Sequence, residues 1–237
     1  MNAVILAAGV GHRMINLTRQ LNKTLLPIGG MPIIERTIIY LKQAGINDIT
    51  IITGHKHEMF LPLEKNYHVR LIHNKKYSVY NSIYSMKLAL DCLEDTFVIH
   101  GDVILFKNLF IKKPEKTTLY TIFKNPKGVP TIEVKTDQYR LMNGFSLSKA
   151  NEMITTHLGV TYFTKQDSEL IKKHYASEIQ EKKLREYKGE LDMELFTLFQ
   201  GKPLDICHID NRYAMDINLV EDYYQACIKY ETYWKNQ

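Results

Sequence analysis

Residues 2–8, Asn-Ala-Val-Ile-Leu-Ala-Ala, form a short apolar run and predict a strand buried on both faces of a parallel sheet. Between residues 31 and 44 the period changes. Ile33, Ile34, Thr37, Ile38 and Leu41 fall on one helical face, with Pro32 suited to the first turn and Gly45 to the stop. A second strand is predicted over 48–53, closed by Gly54, then a short helix near 56–65 and a third strand over 68–72. Helical spacing returns over 82–93 through Ile83, Met86, Leu88, Leu90 and Leu93, and a fourth strand follows over 96–100. Strand and helix at this rhythm predict right-handed βαβ units on a parallel sheet, with ligands beyond the carboxyl ends of its strands. Gly9 to Arg13, Gly54-His55 and Gly101-Asp102 all fall at such ends.

The second half differs. Strands are predicted over 117–123, 131–136 and 156–163, separated by the turn signals Asn125-Pro126-Lys127-Gly128 and Asn143-Gly144. Helices follow at about 165–187 and 190–200, then a strand at 204–209 and a helix at 217–233. Repeats and a low-complexity linker are absent from the sequence. The reading is one compact α/β domain, residues 1–237, with a Rossmann-like mixed but mainly parallel sheet, helices on both faces and a small insert in its second half.

The glycines after the first strand change the picture. Gly9 and Gly11 lack a Cβ, so their amides can approach a polyphosphate closely. Arg13 and Lys23 bring two cations to the same place, which predicts a nucleoside triphosphate site. The spacing fits neither a P-loop nor the dinucleotide fingerprint. Asp102, directly after the fourth strand, has the position of a Mg²⁺ ligand beside a triphosphate; the alternative is a turn aspartate capping its own loop. Asp216 precedes the last helix, a position where aspartate is a preferred N-cap. His55, His57 and Glu58 do not have zinc spacing.

Composition narrows the class only a little. The chain is 45% hydrophobic and 24% charged, as ordinary globular proteins are. A net charge of +5 with scattered basic residues gives no nucleic-acid footprint, though it suits anionic substrates. Three widely spaced cysteines argue for a reducing compartment, and no apolar run reaches the ~18 residues of a membrane helix. A cytoplasmic protein, monomer or homodimer, is expected.

Leu6-Ala7-Ala8-Gly9-x-Gly11-x-Arg13, with Lys23 and the Pro27 to Arg36 segment, resembles the nucleotidyltransferase superfamily. The resemblance implies that Leu6 to His12 (Leu6, Ala7, Ala8, Gly9, Val10, Gly11, His12), Gly54 and Gly101 bind the nucleotide. It further implies that Arg13 and Lys23 are catalytic and that Asp102 and Asp216 hold Mg²⁺. His12 stands where many members carry a small hydroxyl residue.

Asn74-x-x-Tyr77-x-x-Tyr80-Asn81-Ser82-x-Tyr84-Ser85, Thr53-Gly54-His55 and Phe106 to Phe110 are similar to bacterial phosphocholine cytidylyltransferases over about residues 1–112, with a weaker return at 205–230. This implies CTP as donor, Asn81 and Ser82 as readers of the base, a nucleotide-binding half over 1–112 and an acceptor-binding half over 113–237. It also implies a role in surface polysaccharide decoration. The acceptor half departs from the pattern: the one tryptophan, Trp234, lies near the C-terminus. An ammonium-bearing acceptor would then meet Tyr80, Tyr84 or Tyr187, or the carboxylates of Glu190, Asp192 and Glu194, which read otherwise as a solvated helix start. The alternative is a sugar-1-phosphate nucleotidyltransferase using UTP or dTTP, which shares the N-terminal motif.

Overall fold

The structure is a computed structural model that describes residues 1–235 except Val129, Arg140, 179–190 and Pro203, with only the backbone of Ser177, Glu178 and Met193. The chain opens with β1 (Asn2–Ala7), a 3₁₀ turn at His12–Met14, α1 (Ile15–Thr18) and a second 3₁₀ turn at Lys23–Leu25. A small hairpin of β2 (Pro27–Ile28) and β3 (Met31–Pro32) leads into α2 (Ile33–Gln43). Then come β4 (Ile49–Thr53), α3 (Leu61–Tyr67), β5 (Arg70–His73), α4 (Ser82–Leu88), β6 (Thr96–His100) and β7 (Val103–Leu105). The second half holds β8 (Thr118–Lys124), β9 (Thr131–Thr136), β10 (Leu141–Ser148) and β11 (Ile154–Phe163), then α5 (Lys165–Glu178) and α6 (Leu191–Leu198). β12 (Leu204–His208), β13 (Ala214–Asp216) and α7 (Val220–Tyr233) complete it.

One nine-stranded sheet runs through both halves in the order β5-β4-β1-β6-β11-β8-β12-β10-β9. β5, β4, β1 and β6 are mutually parallel, so their carboxyl ends share one edge. The antiparallel pairings are confined to the second half and its join with β6, through β11. Alternation along β1 explains why helices cover both faces. Ala3, Ile5 and Ala7 pack with Ile34, Ile38 and Leu41 of α2 and Leu63 of α3. Val4 points the other way, into a core with Ile83 and Met86 of α4, Ile171 and Tyr175 of α5, and Leu191 and Leu195 of α6. Each such fully buried aliphatic side chain contributes about 1.5–3 kcal/mol. A third cluster, including Ile28, Ile33, Ile104, Ile217 and Ala226, seats α7 against the β2–β3 hairpin and β7.

Two expectations are corrected. Asn143 and Gly144 lie inside β10, where the register with β9 slips between Met142 and Gly144. A glycine at a bulge mimics a turn signal in sequence. The last helix starts at Val220 rather than 217, because Ala214–Asp216 forms a strand antiparallel to β7. The helix expected over 165–187 is described as far as Glu178, and its remainder lies outside the described residues. Cys92 is buried in the core, and all three cysteines are free thiols. Among the described residues no helix is long and apolar enough to cross a membrane.

Candidate active site

The carboxyl ends of β1, β4 and β6 are tied together by backbone. The amide of His55 donates to Ala8 O and that of Gly101 to Leu6 O. Both glycines are required by close approach. A Cβ on Gly101 would lie 2.7 Å from Thr24 Cγ2, and one on Gly54 would lie 2.7 Å from Ala8 O. The fully buried Asn22 completes the tie. Its Nδ2 donates to His55 O at 2.9 Å and lies 3.4 Å from Ala7 O and Gly9 O, while its Oδ1 accepts from the amide and hydroxyl of Thr24.

A cavity of about 800 Å³ opens above this edge, between the two halves. Leu6, Ala7, Ala8, Gly9, Arg13 and Lys23 line it from the first loop, and Tyr80, Asn81 and Ser82 from the start of α4. Asp102, Asp216 and Asp192 line it as well. Val10, Gly11, His12, Gly54 and Gly101 do not. Gly11 has left-handed backbone (φ 71°) ahead of the 3₁₀ turn that carries the exposed His12. Gly54 and Gly101 sit beneath the lining loops.

Lys23 Nζ lies 2.6 Å from Asp102 Oδ2. Burial pushes the Asp102 carboxyl up, but the nearby cations Lys23 and His100 outweigh it and hold the group below the usual carboxylate range. Asp216 pairs with Val103, the neighbour of Asp102, across β13 and β7, and the amide of Ile217 donates to Asp102 O at 2.9 Å. The two carboxylates therefore sit on adjoining strand ends. Asp216 does not cap α7. That task falls to Asp222, whose carboxylate accepts from the amides of Asn218 and Leu219. Asp216 Oδ2 instead accepts from Lys124 Nζ and Asn218 Nδ2, both at 2.5 Å. Asn218 Oδ1 accepts from Arg13 Nη2 at 2.7 Å, which links the first loop to the second half.

Tyr80 and Tyr84 pack 4.9 Å apart, and Lys76 Nζ lies 5.6 Å from each ring centre. That aromatic pair thus already receives a cation of the chain itself, and Tyr84 does not reach the cavity wall. Asn81 Oδ1 accepts from the amide of Ile83 and caps α4, as its place before the helix suggests. Tyr187 and Glu190 lie outside the described residues. Glu194 lies 3.6 Å from His174. Asp192 is not a solvated helix start. Its carboxylate lies 3.3 Å from His100 Nε2 and 3.0 Å from His157 Nδ1. For His100, burial opposes the charged ring, but Asp192 and then Asp102 outweigh it and raise the group to about 9. Asp192 itself is held far below the carboxylate range: burial pushes it up, and the two imidazoles more than offset this.

His57 stacks on His73 at 4.1 Å with its Nδ1 2.7 Å from Thr53 Oγ1. Among the described residues no group of three or more histidine, cysteine or acidic side chains gathers as metal ligands. Two carboxylates beside a polyphosphate site nevertheless match what magnesium takes from proteins, one or two carboxylates with phosphate oxygens completing the shell. Asp102 and Asp216 fit that demand, and each is faced by an ammonium.

Sequence reasoning did not single out Asn22, Lys124, His157 or Asn218. Only Lys124 had a usable signal, as a cation at the carboxyl end of a predicted strand beside a turn.

Residues 3–113 match the MobA-like NTP transferase domain family. A choline-phosphate cytidylyltransferase of Haemophilus influenzae is 37% identical over 197 residues, covering 82% of this chain and 83% of that one. A 2-aminoethylphosphonate cytidylyltransferase of Lancefieldella rimae is 36% identical over 123 residues, half of each chain. Among solved structures, a CTP:phosphocholine cytidylyltransferase from Streptococcus pneumoniae superimposes with a TM-score of 0.81 at 26% identity, covering 96% of this chain and 97% of that one.

Proposed function

The chain belongs to the cytidylyltransferase family of MobA-like nucleotidyltransferases, and we propose that its cavity joins CTP to a small phosphorylated acceptor at the strand ends bearing Asp102 and Asp216. It is a CTP-dependent enzyme that transfers CMP and releases pyrophosphate. The acceptor is phosphocholine or a related amino-alcohol phosphate, phosphonate or phospho-amino acid. The product serves cell-surface polysaccharide decoration, and the enzyme works in the cytoplasm as a monomer or homodimer, without nucleic acid or membrane as a partner.

The observation that carries this reading is the pair of lysine–carboxylate contacts, Lys23–Asp102 and Lys124–Asp216, lining one cavity, one lysine from each half. Asp102 and Asp216 hold Mg²⁺, which when bound neutralises phosphate charge and polarises the α-phosphoryl group. The backbone amide of Gly9, where the glycine loop meets the cavity, approaches the triphosphate, and Arg13 holds the departing pyrophosphate with its planar fork. Lys23 stands between the α-phosphate and the acceptor phosphate. Lys124, carried by the second half, meets the acceptor phosphate from the far side. Asn81 and Ser82 read the cytosine. An oxygen of the acceptor phosphate attacks the α-phosphorus in line, so no covalent enzyme intermediate is needed, and catalysis consists of positioning and charge neutralisation.

The test is pyrophosphate release from CTP, UTP, dTTP, ATP and GTP with magnesium across phosphocholine, phosphoethanolamine, 2-aminoethylphosphonate, phospho-amino acids and glucose-1-phosphate. Turnover with CTP and an amino-alcohol or amino-acid phosphate is expected. Preference for UTP or dTTP with the sugar phosphate would overturn the reading.

A further inference from the structure

Among the cavity-lining residues outside the proposed chemistry are His100 at the end of β6, His157 on β11 and Asp192 on α6. They come from both halves and meet in one cluster. The sequence alone leaves Asp192 as a partner for an acceptor ammonium or as part of a solvated helix start. The geometry instead engages each of its oxygens separately, Oδ1 with His100 Nε2 at 3.3 Å and Oδ2 with His157 Nδ1 at 3.0 Å. The His157 ring is almost wholly enclosed, its side chain 4% exposed. Its Nε2 lies 2.9 Å from Thr161 Oγ1 and 3.1 Å from Val160 O. With its proton on Nδ1 the ring donates to Asp192 and accepts the Thr161 hydroxyl on Nε2, whereas Val160 O, an acceptor only, is bonded just when Nε2 carries a proton. Phe196, one turn after Asp192 on α6, packs edge-on against the same ring at 5.4 Å. On the other side, β11 lies so close that a Cβ on Gly159 would fall 3.0 Å from His100 Cβ. His100 is two residues before Asp102.

We propose that Asp192 is a positioning residue. Through His157 and His100 it braces the acceptor-side wall against the strand end that carries Asp102, rather than pairing directly with the acceptor's cationic group. This rests on the cytidylyltransferase reading, because the braced wall is the one the acceptor meets. A brace of this kind acts on every acceptor alike. A direct ligand would discriminate by the acceptor's charge.

The two are separated with phosphocholine and its uncharged isostere, 3,3-dimethylbutyl phosphate. In Asp192→Asn, kcat/KM for both acceptors is expected to fall together by about tenfold, with their ratio kept within about twofold and the KM for CTP unchanged. The strongly hydrogen-bonded imidazole proton of His157 in the unliganded protein's NMR spectrum should shift or vanish. His157→Asn, whose amide nitrogen stands in for Nδ1, should retain most activity, whereas His157→Ala should behave as Asp192→Asn does. Loss of phosphocholine turnover alone in Asp192→Asn, with the isostere unaffected, would overturn the proposal. So would a folded Asp192→Asn variant with unchanged kinetics. If Asp192→Asn fails to fold, the contrast between the two His157 variants decides: equal activity in both would overturn the proposal. A wild-type protein that transfers CMP to no acceptor would overturn the underlying reading instead, while the imidazole spectrum would still report on the brace.

Discussion

Lys124 Nζ lies 2.5 Å from Asp216 Oδ2, a contact between the end of β8 and the short strand that sits beside Asp102. A lysine here keeps the carboxylate paired before any substrate arrives, and it returns a positive charge to the site when the carboxylate takes another partner. Lys124→Met should therefore lower kcat/KM for the acceptor by about 10²-fold, while CTP binding measured by calorimetry changes far less. Equal losses in both would move Lys124 from the acceptor side to the nucleotide side.

Lys23 and Asp102 form the matching pair on the nucleotide side. Lys23→Ala and Asp102→Ala should each reduce turnover by about 10²–10³-fold with CTP, magnesium and the best acceptor, by analogy with other electrostatic stabilisers. Near wild-type turnover in both would refute the assigned roles.

Asn22 has no charge and no place in the chemistry, yet it joins the loops after β1 and β4. Asn22→Ala leaves buried carbonyls of both loops and the Thr24 amide without this partner. A loss of about 1–3 kcal/mol of stability is expected, read from urea unfolding. A midpoint shift too small to resolve would mean that water replaces the amide fully.

The pH dependence of stability follows from the cluster of His100, Asp102 and Asp192. His100 is raised to about 9, so folding takes up a proton there. Its contribution is complete below the unfolded value near 6.5 and disappears as pH rises through 9. Asp102 and Asp192 are lowered, so their contributions are present above the unfolded carboxylate range and disappear as pH falls through their folded values. The melting temperature should therefore decline on both sides of a plateau at mildly acidic pH. The difference between wild type and His100→Asn should shrink between pH 6.5 and 9.5. A difference that grows over that interval would contradict the assigned charge on His100.

The first half was legible because its signals are local. Gly9, Gly11 and Arg13 follow a strand in immediate succession, and Asp102 follows another strand at once. The second half was less legible because its determinants are distant. Lys124 finds Asp216 across 92 residues. β13 has three residues and exists because β7 receives it. β10 was hidden by Asn143-Gly144, a turn dipeptide used here inside a strand. The histidine partners of Asp192 were hidden for the same reason, since His100 and His157 lie far from it along the chain.

The insertion of β13 beside β7 also sets when a growing chain becomes useful. A ribosome delivers β1, the glycine loop, Lys23 and Asp102 well before the stretch that carries Asp216 and Asn218. Until that stretch docks, a nascent polypeptide holds half of the carboxylate pair and has no counterpart for Arg13. Truncated translation products ending before residue 214 should thus be idle toward the cell's nucleotide supply, and competence arrives in one late step.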